Sequence, residues 1–217
     1  MSGCCSAGDL DDIFTPKQAR ADAKKYRRDG LDAEAARIVD AVRRFAGDGI
    51  TLLEVGGGVG AIQLELLRSG ARSATNVELS RSYEGPAREL AAEAGLAERI
   101  ERVVGDFIVE APALPAADAV VMQRVVCCYP HATSLVEAAV EHARKVLVIT
   151  LPRDTWWIRS VIGIANVWPR LRGWKFRAYV HPTSRVIDAA ANKEMRLAEH
   201  RRGFIWQMLV LTREVAS

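Results

Sequence analysis

Leu31, Ala35, Ile38, Val42 and Phe45 recur at steps of four, three, four and three, which keeps apolar side chains on one stripe of a helix. The run closes at Gly47–Gly49. Ahead of it, Thr15 followed by Pro16 reads as an N-cap with proline in the first turn, opening a basic helix through about Arg28 that Gly30 stops. From Ile50 the period shortens. Ile50–Val55, Ala74–Leu79, Ile100–Val104, Ala119–Gln123 and Lys145–Leu151 read as strands, separated by helical patterns over Val59–Arg68, Tyr83–Ala94 and Thr133–Ala143. After Ala178 the pattern predicts a helix over Thr183–Asn192 and two last strands, Arg196–His200 and Phe204–Thr212.

Strict alternation of strand and helix implies right-handed crossovers and a parallel sheet covered on both faces. The last two strands are joined only by Arg201, Arg202 and Gly203, far too short for a parallel crossover, so they pair antiparallel. The expectation is an α/β protein: a Rossmann-like, doubly wound, seven-stranded sheet, mostly parallel with an antiparallel C-terminal strand. Residues 1–48 are expected to form an N-terminal tail and helical cap, and residues 49–217 the main domain, with an aromatic and basic lid segment at 152–181. No internal repeat or low-complexity stretch interrupts this plan.

Charge changes the picture little at first. Thirty basic against 27 acidic side chains leave +3, too little to argue for a nucleic-acid partner. The first residues lack the basic and apolar regions of a signal peptide, and no stretch reaches the roughly 18 apolar residues of a membrane span. A cytoplasmic protein is expected. The cysteines come as vicinal pairs, Cys4/Cys5 and Cys127/Cys128, without C-x-x-C spacing, so they read as reduced thiols and no metal site is assigned.

The candidate chemistry begins at "LEVGGGVGAIQL". Gly56, Gly57, Gly58 and Gly60 between a strand and a helix let backbone N–H groups and a helix N-terminus approach a ligand that side chains would exclude. Glu78 ends the second strand 22 residues after Gly56, where a carboxylate can accept ribose hydroxyls. Asp106 and Phe107 follow the third strand, placed to meet the exocyclic amine and face of a purine. Gly56, Gly58 and Ala61 also satisfy the loose dinucleotide pattern G-x-G-x-x-[GA], which keeps an NAD(P)-binding oxidoreductase open at this point.

"EVGGGVG", with Glu54, Gly56, Gly58 and Gly60, resembles the first motif of the class I S-adenosylmethionine-dependent methyltransferases. The resemblance covers about Ile50 to Leu151 and extends to the closing antiparallel pair, which dinucleotide domains usually lack. It implies S-adenosylmethionine as cofactor, with the glycine loop under its methionine moiety, Glu78 on its ribose, Asp106 and Phe107 flanking its adenine, and Gln123 at the end of the fourth strand as a further contact. Glu54 would answer the sulfonium charge, directly or through the loop.

Beyond the fourth strand, "VVCCYP" is similar to a stretch of the magnesium-protoporphyrin O-methyltransferases, Tyr129 and Pro130 matching while Cys128 replaces a frequent histidine and His131 is the nearest one. Tyr26, in "KKYRRDG", resembles an N-terminal tyrosine of the same subfamily. Tyr129, His131 and Tyr26 are therefore the candidate catalytic residues. The segment "LPRDTWWIRSVIGIANVWPRLRGWKFRAYVHP" holds four of the five tryptophans and sets Arg153, Arg159, Arg170, Arg172, Lys175 and Arg177 against one acid, Asp154. Trp157, Val161 and Ile164 repeat at helical spacing and are expected in part to be core. The remaining mix suits a large, flat, anionic acceptor, with aromatic faces stacking and guanidinium groups taking carboxylates; Trp157, Arg172, Arg177 and Tyr179 are the candidate substrate contacts. "RAYVHP" resembles an arginine-aromatic-histidine stretch of the magnesium-porphyrin enzymes. A peripheral membrane contact would use the same composition, so that partner stays open, as does a non-catalytic cofactor-binding scaffold.

Overall fold

A computed structural model describes residues 13–173 and 176–213. Its strands are β1 (Thr51–Val55), β2 (Ser73–Glu78), β3 (Ile100–Val104), β4 (Ala117–Gln123), β5 (Ala143–Pro152), β6 (Met195–Arg202) and β7 (Trp206–Arg213). They form one sheet in the order β3-β2-β1-β4-β5-β7-β6, in which β7 runs antiparallel to both of its neighbours and the other pairs are parallel. The helices are α1 (Pro16–Asp29), α2 (Ala33–Ala46), α3 (Ala61–Arg68), α4 (Glu84–Glu93), the single turn α5 (Phe107–Glu110), α6 (Ala132–His142), α7 (Trp156–Ala165), α8 (Val167–Leu171) and α9 (Thr183–Ala191). This is the doubly wound architecture the alternation predicts.

Strand side chains alternate between faces, and the buried residues divide accordingly. Leu52, Val121, Val148 and Val210 pack under α1 to α4 with Ile38, Val42, Leu64 and Leu90. Leu53, Val120, Ile149 and Leu211 face the other way, against Leu135, Val136 and Val140 of α6 and Val186 of α9. The cap is tied down by its own signals: Thr15 Oγ1 accepts from the Gln18 N–H, and Asp32 Oδ1 accepts from the N–H groups of Glu34 and Ala35.

Two expectations need correction. The last strand begins at Trp206, because the Gly203 N–H donates to the Trp206 carbonyl at 2.8 Å and makes Phe204 and Ile205 part of the turn. In α7 only Ile158 is buried, while Val161 and Ile164 face outward, so the stripe read as core is surface. No helix among the described residues is long and apolar enough to cross a membrane.

Candidate active site

The strand order reverses between β1 and β4, and open α/β sheets bind ligands in the crevice beyond the strand ends at such a point. A cavity of about 380 Å³ lies there, lined by Val55, Gly56 and Gly58 from the first loop, Val77 and Glu78 from β2, Asp106 and Phe107 after β3, and Gln123 to Tyr129 after β4, with Val126 excepted. The size suits one ligand.

The loop is glycine for specific reasons. Gly56, Gly58 and Gly60 have φ of 65°, 55° and 79°, the left-handed region that L side chains avoid. A Cβ on Gly56 would stand 2.5 Å from Val125 Cγ2, and one on Gly57 would stand 2.6 Å from the Glu54 carboxyl carbon. Gly60 caps the N-terminus of α3.

Glu78 lies where the sequence predicts a ribose contact. Its Oε2 accepts from the Gly58 N–H and its Oε1 from the Ser80 N–H, both at 2.9 Å, so one carboxylate ties the glycine loop to the end of β2. Burial pushes its pKa up, and these hydrogen bonds oppose the shift. Glu54 is placed differently from the direct sulfonium contact. It is buried behind the loop, outside the cavity lining, with Asn76 Nδ2 donating to its Oε2 at 3.3 Å. Burial pushes its pKa up to about 8 against the attraction of Arg102. Arg102, which no local sequence signal marks, reaches from β3 to Glu84 at 3.0 Å and donates from Nη2 to the Gly58 carbonyl at 3.3 Å.

Asp106 caps α5 by accepting from the Ile108 N–H, and both of its oxygens accept from the Tyr129 hydroxyl at 2.8 and 2.7 Å. Phe107 is buried beside it, edge-on to His142. Tyr129 thus lines the cavity as a donor to a carboxylate. His131 does not: it is exposed and lines a separate depression with His181 and Arg185. His181 itself donates from Nε2 to the Tyr129 carbonyl at 2.8 Å, and burial lowers its pKa. Tyr26 also stands outside this cavity, in a shallower cleft along the glycine loop. Its hydroxyl donates to Glu65 at 2.6 Å and accepts from Arg68 at 2.8 Å, while burial and the Glu65 carboxylate keep the phenol protonated.

Arg124 follows β4 with φ 57°, a strained value that no local sequence signal announces. Its guanidinium donates to Glu34 at 2.9 Å and lies 4.8 Å from the centre of the Trp206 ring. Gln123 points its amide at the same Glu34. Cys127 and Cys128 sit in the next turn with their sulfurs 3.9 Å apart, both on the cavity wall; the hydrogen bond with Cys128 lowers the pKa of Cys127. Cys4 and Cys5 lie outside the described residues, as does Lys175. Among the described residues no group of three or more histidine, cysteine or acidic side chains could hold a metal.

The far wall belongs to Phe176 and Ala178, Trp206 of β7 and Phe14. The four expected substrate contacts are elsewhere. Trp157 packs tilted against Phe204 with ring centres 5.0 Å apart, Arg172 lies over the Trp168 ring at 4.6 Å, and Tyr179 stacks on His181 at 5.8 Å. Arg177 alternates with Phe176 and Ala178 in an extended stretch and is not part of the lining.

An O-methyltransferase domain model matches residues 12–151, more than half of the chain. No protein of curated function matches at the sequence level. Among solved structures, magnesium protoporphyrin IX methyltransferase from Synechocystis PCC 6803, with bound S-adenosylhomocysteine, superposes with a TM-score of 0.72 at 17% identity, covering 94% of this chain and 97% of that one. An O-methyltransferase family 2 protein from Planctomyces limnophilus DSM 3776, in complex with apigenin, gives 0.66 at 17%, covering 95% and 64%. The [4+2]-cyclase SpnF gives 0.67 at 16%, covering 98% of each chain. A cyclase on this fold shows that superposition alone does not fix a reaction. The matched domain, the glycine loop and the closing antiparallel strands together decide against the dinucleotide oxidoreductase, and the chain belongs to the O-methyltransferase family of S-adenosylmethionine-dependent enzymes.

Proposed function

We propose that the protein transfers the methyl group of S-adenosylmethionine to a carboxylate oxygen of a planar, largely apolar acceptor, of which a porphyrin is one example. The observation that carries this reading is the composition of the cavity wall: no histidine among the described residues lines it, its Tyr129 hydroxyl is committed to Asp106, its carboxylates Glu78 and Asp106 are engaged by Gly58, Ser80, Ile108 and Tyr129, and its Cys127 and Cys128 thiols are turned to the Arg124 carbonyl. A phenol or amine acceptor would need a base there. A carboxylate, with a pKa near ~4, is ionised at neutral pH and needs none.

The residues present fit the cofactor. Gly56 and Gly58 bring backbone without side chains to the cavity wall; Glu78 lines the same wall as a carboxylate with acceptor capacity toward hydroxyls; Asp106 and Phe107 suit an adenine edge and face. The bound cofactor supplies an electrophilic methyl on a sulfonium. The chain's own part is to hold the acceptor oxygen in line with that methyl and to keep water out, through Tyr129, Phe176 and Trp206. Arg124, beside Trp206, is the cation best placed to draw the acceptor's carboxylate. Because 380 Å³ is room for about one ligand, a large acceptor would lie across the mouth rather than inside.

The test is methyl transfer from labelled S-adenosylmethionine to a panel of planar carboxylic acids, including magnesium protoporphyrin, beside matched phenols and amines. Ester formation with the acids is expected. Turnover confined to phenols or amines would overturn the carboxylate reading.

A further inference from the structure

The segment ahead of Phe176 exposes what a protein in water ordinarily buries. Trp156, Leu171 and Ile164 are 80%, 77% and 72% accessible, and Phe204, in the neighbouring β6–β7 turn, is 78% accessible. Val161, Val167 and Trp168, on the same two helices, are exposed as well. These residues lie on adjoining elements: Trp157 packs against Phe204, the Arg153 N–H donates to the Ile205 carbonyl, and the Asn166 side chain bonds both the N–H and the carbonyl of Ala178. Scattered exposed apolar side chains are ordinary, but a contiguous set with two tryptophans is an interaction surface.

We propose that α7, α8 and the β6–β7 turn dock the protein on an anionic lipid bilayer. Charge selects this occupant. Arg153, Arg159, Arg170 and Arg172 lie in or beside α7 and α8, and Arg201 and Arg202 stand at the end of β6 near Phe204; the acid within 153–173 is Asp154, paired with Arg159, and Arg201 is paired with Glu199, so Arg153, Arg170, Arg172 and Arg202 carry the excess charge. A short amphipathic element with tryptophan and leucine on one side and arginine at its margins lies in the headgroup plane, apolar face inward, and its cations are drawn to acidic lipid. A second copy of this chain would set the same arginines against one another.

The docking surface adjoins the cavity along the chain. Trp206 closes the turn that carries Phe204 and also lines the cavity, and Phe176 follows α8 by a few residues. A bilayer against this face would therefore meet the mouth, and an acceptor dissolved in the membrane would enter without crossing water. That last step rests on the proposed methyl transfer; the docking does not.

Flotation of the full chain with phosphatidylcholine vesicles, with and without phosphatidylglycerol, tests the proposal. Binding is expected with the anionic vesicles and is expected to weaken as salt rises. The combined variant Trp156→Ser, Ile164→Ser, Leu171→Ser should weaken it by at least about tenfold, and Arg170→Gln with Arg202→Gln should remove its dependence on phosphatidylglycerol. S-adenosylhomocysteine affinity, measured by calorimetry, should be unchanged in both, which excludes unfolding as the cause. Absence of binding to anionic vesicles, or equal binding by the apolar variant, would overturn the proposal. So would a concentration-dependent dimer, seen by sedimentation, that the apolar variant abolishes. Vesicle binding without ester formation would leave the docking intact and remove the proposed reaction; the reverse result would do the opposite.

Discussion

Two regions on either side of the cavity handle polarity in opposite ways. Behind the glycine loop the protein buries Glu54, Asn76, Glu78 and the Arg102 side chain in a polar cluster under the sheet end, whereas across the mouth α7 and α8 hold tryptophan, isoleucine and leucine in solvent. The first arrangement costs desolvation and is retained because it fixes a loop that must be bare of side chains. The second gains nothing for the isolated fold, so its contribution has to come from whatever covers it. Changes behind the loop should therefore alter stability and cofactor binding together, and changes on the exposed face of α7 and α8 should alter neither.

The largest effect is expected at Glu54. Its pKa in the fold is raised to about 8, so the folded protein holds a proton that the unfolded chain releases near ~4.3. The sign follows from that: the stabilisation is fully present below the unfolded value and is lost as pH rises toward 8. At about 1.4 kcal/mol per pH unit inside this window, wild type should lose a few kcal/mol between pH 5 and 8 relative to Glu54→Gln. Thermal unfolding of the two proteins across that range measures the difference. Parallel curves would mean that Glu54 is ionised in the fold.

Next comes Glu78→Ala, which removes a charged ribose partner and leaves the Gly58 and Ser80 N–H groups without their acceptor. S-adenosylhomocysteine should bind weaker by about 1.5–3 kcal/mol, roughly ten- to 150-fold in Kd, with stability reduced by a similar amount. An unchanged Kd in calorimetry would confine Glu78 to bracing the loop. Gly57→Ala should cost about 1–3 kcal/mol of stability, since its Cβ meets Glu54 and Asn76 with no space to yield; chemical denaturation measures it.

Legibility divides along the same line. The glycine wall could be read from the sequence because a strand, a glycine loop and strand-end acids are local signals, and each strand core was placed within a few residues of its position. Glu54 stands out in the sequence as the acid before the glycines, but its place behind the loop depends on Asn76 and Gly57 packing against it. The lid was harder. Helical spacing found α7, yet not which side of it faces the protein, so Val161 and Ile164 were expected inside while Ile158 is the residue that is buried. In the extended stretch after Lys175, composition and the resemblance of "RAYVHP" single out Arg177 and Tyr179, whereas Phe176 and Ala178 line the cavity, because neither signal carries the phase of the chain. His131 lies two residues from Tyr129, but a turn carries it away from the cavity. Arg124 and Trp206 meet across 82 residues, a contact that exists only once β4 and β7 flank β5.

The smallest effect is the sharpest control. Ile164 and Ile158 are residues of one kind, two turns apart at most on one helix, and differ in exposure: 72% against 2%. Ile158→Ala removes packed methyl groups and leaves a cavity, which costs about 2–5 kcal/mol at a well-buried site. Ile164→Ser removes hydrocarbon that already faces solvent, so the change should lie within about 0.5 kcal/mol. It should also raise solubility, by shrinking an exposed apolar patch. Differential scanning calorimetry of the two variants reads this directly. A large loss of stability for Ile164→Ser would mean that α7 rotates in solution to bury its outer face, which would take the apolar surface away from any partner and return Trp157, Val161 and Ile164 to the core their spacing predicts.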